Sequence, residues 1–228
     1  MARAKGGSWR VMAALAAATL AAPLLVLIAV LGASAGVWSI DFALHGLTLS
    51  VARWLALAGV AAAAIALALA VKDIKRRGPF AALAVVAAGA TLAVFLVQQP
   101  KFGPASGDVA TDTADAPGLS DALRARRDEA GAVALGAPTP CAAFVPSQIA
   151  PQAAADALRA VGFRPIGSAA FRAEGFRRGD WFGLTHDAVI RIRPGRTDVR
   201  VSAREAVDQG DAACRLAARL VAELQARR

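Results

Sequence analysis

Three stretches of this chain carry no charged residue over 18 or more positions: 11–31, 54–71 and 80–97. A helix needs about 20 apolar residues to cross ~30 Å of hydrocarbon, so each stretch has roughly the length of a span. None has the polar face that a helix on the surface of a soluble protein needs. The expectation is a three-helix transmembrane region over 11–97, in which the Ala-heavy middle run inserts least strongly.

Cations resist translocation, so their distribution between loops sets the direction of such an anchor. Arg3, Lys5 and Arg10 precede the first run, and Lys72, Lys75, Arg76 and Arg77 sit between the second and third. The segment 32–50 has no Lys or Arg, and Arg53 alone stands on that side, where its stem can snorkel to the interface. Seven cations against one place the N-terminus, 1–10, in the cytoplasm. Three spans then put everything after residue 97 on the opposite side. Ala33, Ser34 and Ala35 fit a signal-peptidase site, but the preceding apolar run exceeds the usual 7–15 residues, so an uncut span is expected. Cleavage would not move the C-terminal region.

Composition separates the two halves. Residues 1–100 hold eight Lys or Arg against two acids, and residues 101–228 hold eighteen against fifteen. The net charge of +9 therefore comes mostly from clusters flanking apolar runs, which argues against nucleic acid as a partner. The lipid bilayer is the partner this pattern requires. Arg outnumbers Lys 22 to 4, which suggests a GC-rich bacterial genome. Trp9, Trp38 and Trp54 fall near the ends of the runs, as interfacial anchors do, and His45 reads as an interfacial residue of the outer loop. Small-xxx-small spacing occurs at Gly32/Gly36 and Gly59/Ala63, but chance supplies such spacing in an Ala-rich chain.

Residues 98–120, rich in Gly, Pro, Thr and Asp, read as an extended linker. An α+β domain is expected over 121–228. A short helix capped by Ser120 covers 120–130, and a second covers 151–161, with Pro151 in its first turn and Gly162 ending it. Beyond residue 163 the apolar period becomes two. Ile190 and Ile192 alternate with Arg191 and Arg193, Pro194-Gly195 makes a turn, and Val199 and Val201 alternate with Asp198, Arg200 and Ser202. That pattern predicts a hairpin with one buried and one wet face, and residues 167–177 supply further antiparallel strands. A closing helix over 211–226 places Ala213, Leu216, Leu220 and Leu224 on one side, suited to covering the sheet.

The segments GDVATDTADAP, SDALRARR, GFRPIG, HDAVIRIRP and TDVRVSAREAVDQGDAACRLA together resemble the bacterial family catalogued as domain of unknown function 1499. The resemblance covers about residues 104–226, and Thr111, Asp112, Asp187, Asp198, Val199, Arg200, Arg204, Asp208 and Gly210 match its motif positions. His186, Val201 and Ala203 depart from the pattern, and the spacing from Arg204 to Asp208 is one residue short. The resemblance implies a membrane-anchored envelope protein and supplies no activity.

Candidate chemistry is sparse. Cys141 and Cys214 are the only cysteines, and in an oxidising compartment they are expected to form a disulfide. No Cys or His pair has the spacing of a metal site, and no cofactor motif is present, so neither a metal nor a cofactor is expected. Arg191, Arg193, Arg200 and Arg204 form a candidate anion-binding face, because guanidinium groups suit bidentate contact with phosphate or carboxylate. An anionic lipid or an envelope protein would be its partner. The plainer reading is that Asp187, Asp198, Glu205 and Asp208 neutralise these arginines, and pairing of every one to an acid would remove the site. The alternative function is a membrane-tethered hydrolase using His186 and nearby acids. Adjacent residues of a strand face opposite ways, which works against His186 cooperating with Asp187.

Overall fold

The structure, a computed structural model, describes residues 7–98 and 107–227. Arg3, Lys5 and the first part of the expected linker lie outside these residues. The chain divides into two compact units, 1–100 and 101–228.

The first unit is helical. Helices α1 (Gly7–Thr19) and α2 (Ala21–Ser34) occupy the first apolar run, bent by 44° at Leu20 rather than continuous. Pro23 explains the break: it has no N–H to give the Thr19 carbonyl four residues back, and its ring clashes with that carbonyl. A π-helix, Phe42–Ala52, runs straight into α3 (Arg53–Ala70), and α4 (Ile74–Gln98) follows. Two helices, Phe42–Ala70 and Ile74–Val97, are long and apolar enough to cross a membrane, and the count is three if the bent pair acts as one span.

The expected outer loop over 32–50 is therefore mostly helix. Its turn is confined to about 35–40, and His45 lies on the π-helix with Nδ1 2.8 Å from Asp41 Oδ1. Turning so sharply is possible because Trp38 folds back over Gly32 and donates from Nε1 to the Ala29 carbonyl at 3.0 Å. A Cβ on Gly32 would lie 2.1 Å from the indole. Arg77 bridges the other connection by donating to the Leu69 carbonyl at 3.0 Å, a cation placed at the negative end of α3. The small residues are not idle here. Ala56, Gly59, Ala63, Ala66 and Ala70 form one buried stripe of α3, and a Cβ on Gly59 would come within 3.4 Å of the Thr19 backbone. Close backbone approach of this kind is how helices pack where lipid removes the hydrophobic drive.

The second unit contains a six-stranded mixed sheet in the order β2-β1-β6-β5-β4-β3. The strands are β1 (Asp108–Ala110), β2 (Thr139–Pro140), β3 (Arg164–Ala169), β4 (Arg172–Arg178), β5 (Thr185–Arg193) and β6 (Arg196–Ala203). All neighbours are antiparallel except β1 and β2, which are parallel. That pair corrects the all-antiparallel expectation: the connection from β1 to β2 carries α5 (Asp121–Glu129) across the sheet, as a parallel pair requires. Residues 108–110 pair with β6, so three residues of the expected linker belong to the sheet.

One face packs against α6 (Pro151–Ala160) and α7 (Ala212–Gln225), burying Ile190, Ile192, Val199 and Val201 against Leu158, Leu220 and Leu224. Ser120 caps α5 by accepting from the Leu123 N–H at 3.2 Å, and Pro151 opens α6. A disulfide joins Cys141 to Cys214 of α7, with the Cα atoms 5.5 Å apart. It fastens the last helix to the segment that precedes α6.

Candidate functional site

Cross-strand partners share a face, so the register divides the sheet cleanly. Asp187, Val189, Arg191 and Arg193 of β5 lie on the side of Ser202, Arg200, Asp198 and Arg196 of β6. This side was expected to be wet. It is covered instead by α5 and its flanking segments, where Leu119 and Leu123 pack on Val189. The apolar period of two remains intact, but the second face is a buried charged layer.

Three carboxylates organise the layer. Asp187, whose side chain is 0 % exposed, accepts from Arg127 Nη1 at 2.8 Å and from Arg204 Nε and Nη2 at 3.0 and 2.5 Å to Oδ1. Asp198, equally buried, faces Arg193 Nη2 at 2.5 Å, Arg196 Nε at 2.7 Å and Arg191 Nη2 at 3.4 Å. Asp108 holds Arg200 through Nε at 2.9 Å and Nη2 at 2.6 Å, a two-point clasp that fits the planar guanidinium. Asp115 adds bonds to Arg191 at 3.1 Å and Arg193 at 2.9 Å, and Asp112 one to Arg196 at 2.8 Å. Glu174 accepts from the Ser120 N–H and hydroxyl, tying the cap of α5 to β4.

All four arginines of the expected anion-binding face, Arg191, Arg193, Arg200 and Arg204, are thus matched to acids. The layer brings them together, but with their charge already engaged. An incoming phosphate would have to displace carboxylates at hydrogen-bond distance. The Arg191 guanidinium holds the Asp115 carboxyl below its ordinary range, and the Asp115 N–H and then the Arg196 charge do the same for Asp112. Bonding to Asp198 holds Arg193 still more firmly protonated.

Sequence reasoning missed Arg127, Asp108, Asp115, Arg196 and Glu174. Arg127 had a legible signal, since it follows Leu123 by four residues and must share its inward stripe. Both its terminal nitrogens are occupied, by Asp187, Ser202 and the Val133 and Ala203 carbonyls. A cleft of about 300 Å³ opens beside it between residues 133–137 and 203–208, and finds no free guanidinium there. Among the described residues no three His, Cys, Asp or Glu side chains converge to hold a metal.

His186 lies on the opposite face from Asp187, buried and paired across the strands with Ala203 at the end of β6. Its Nε2 meets no partner among the described residues. The adjacent carboxylate therefore points away to Arg127 and Arg204, and the dyad that the hydrolase reading needs is not assembled. Burial, with the Arg177 and Arg215 charges beside it and Asp187 opposing them, lowers the His186 pKa from 6.5 to about 4. The folded domain thus binds this proton less readily than the unfolded chain. Its stability is intact above pH 6.5 and falls as the pH drops from 6.5 toward 4, by up to roughly 3 kcal/mol. Denaturation at stepped pH should show that slope in the native chain and a flat line over the same window in His186→Gln. The depressed carboxylates Asp112 and Asp115 contribute stability that is present above their ordinary value of 3.8 and is lost only as the pH falls below it, so the two windows separate.

Comparison with protein-family models, with curated proteins and with solved structures returns no match to this chain.

Proposed function

We propose that this is a multi-pass protein of a bacterial inner membrane whose N-terminal helices anchor a non-catalytic α+β interaction domain outside the cytoplasm. The observation that carries the reading is the Cys141–Cys214 disulfide in the unit that follows the apolar helices, because such bonds persist in oxidising compartments. The cation asymmetry across the apolar runs supports the same direction independently. The family resemblance belongs to the proposal as well. Six of the nine matching positions, Thr111, Asp112, Asp187, Asp198, Arg200 and Arg204, are drawn from distant parts of the chain and join the charged layer.

The matched charges favour a structural role for that layer and leave partner recognition to the outer surface. An anionic lipid or an envelope protein is the class of partner. Reporter fusions at Arg228 test the topology: alkaline phosphatase should be active there and a cytoplasm-dependent fluorescent protein dark. The reverse pattern would refute the placement.

A further inference from the structure

The largest exposed aromatic side chain outside the apolar helices is Trp181, 66 % exposed, in the β4–β5 turn Gly179-Asp180-Trp181-Phe182-Gly183. A hydrophobic ring of this size standing in water needs an explanation. Arg178, at the end of β4, and Arg164, at the start of β3, are also exposed at this end of the sheet, and among the described residues no carboxylate pairs with either. Asp180 is an exposed acid beside them, the Glu205 carboxylate accepts from the Thr185 N–H at 2.8 Å, and Asp208 is exposed in the loop after β6.

The register shows what else reaches this end. Arg178 pairs with Thr185, and the Arg204 N–H bonds the Thr185 carbonyl at 2.9 Å. Ala203 donates to the Gly107 carbonyl, so the chain that leads back to the apolar helices joins the sheet here. The opposite end carries Phe171, 72 % exposed, but its arginines Arg191, Arg193 and Arg196 are matched to Asp112, Asp115 and Asp198. Among the described residues, only the Trp181 end combines an exposed indole, unmatched guanidiniums and the covalent tether.

We propose that this end of the domain rests on the phospholipid surface, with Trp181 seated in the headgroup layer and Arg178 and Arg164 on lipid phosphates. Indole is favoured at a membrane interface because its ring is apolar and its N–H polar, and guanidinium beside it suits phosphate. Tethering keeps the local lipid concentration high, so a weak contact suffices to hold the orientation. The proposal rests on the membrane-anchored reading given above.

The test uses the full chain reconstituted in phosphatidylglycerol/phosphatidylcholine vesicles, with Trp9, Trp38 and Trp54 replaced by Phe. Lipids brominated near the glycerol should quench Trp181, and its acrylamide quenching constant should be about threefold below that of the urea-unfolded chain. Arg164→Glu with Arg178→Glu should restore access to acrylamide. The chain with all its tryptophans gives a second reading. Amides 179–183 should exchange about tenfold more slowly in vesicles than in the Trp181→Ser variant, as expected if the indole holds the turn at the interface. Trp181 fully open to acrylamide, with equal exchange in both chains, would overturn the docking. If the chain still resists alkaline extraction, the anchored reading stands while the docking falls; if it is extracted, both fall.

Discussion

Asp187→Ala is expected to cost the C-terminal domain 3–5 kcal/mol, about what breaking a buried ion pair costs when one charge is left behind. The remaining charge is Arg127, on the inward face of α5 with its side chain only 5 % exposed. Arg204, on the other side of Asp187, is nearer the surface and can turn outward. The loss should therefore track Arg127, and a domain of ordinary stability, 5–15 kcal/mol, would be left marginal. Urea titration of the full chain, followed by amide exchange in β5 and β6, measures it. Two controls separate charge from packing. Arg127→Met combined with Asp187→Leu should recover most of the loss, because an apolar pair of similar volume needs no compensation. Asp121→Ala, which removes an exposed partner of Arg124, should be nearly neutral.

Removing the disulfide should act on a similar scale by a different route. Cys141 and Cys214 are 73 positions apart, and closing a loop of that length in the unfolded chain is worth about 4 kcal/mol. Cys141→Ala with Cys214→Ala should lower the urea midpoint accordingly, and reducing agent should have the same effect on the native chain and none on the variant. Because this effect acts mainly on the unfolded ensemble and that of Asp187 on the folded one, the two losses should add when combined. A double loss of that size would leave the C-terminal unit unfolded at ambient temperature.

The sequence made the elements of both units readable where one local rule decided them. Ser120 and Pro151 marked helix starts, the period of two marked β5 and β6, and the Leu stripe marked α7. The apolar runs were plain from their lack of charge. The break at Leu20 had a local signal, Pro23, hidden in a run uniform in hydropathy. The charged layer depended on information that no local pattern carries. It was read as a solvated face because alternation shows that a second face is polar and leaves open what covers it. The covering came from a segment that looked like linker: Asp108, Asp112 and Asp115 are spaced irregularly in a Gly- and Pro-rich stretch, yet each answers an arginine 76 to 92 positions away. Partners at such separation are set by topology, and only the placement of β1 beside β6 reveals them.

The proposed placement requires the C-terminal unit to fold where thiols are oxidised. Intact cells quenched in acid and then denatured with a maleimide-polyethylene glycol test this directly. The Cys141–Cys214 bond should give no mass shift unless a reductant is added first, and then a shift of two tags per chain. Two tags on Cys141 and Cys214 without any reductant would contradict the placement.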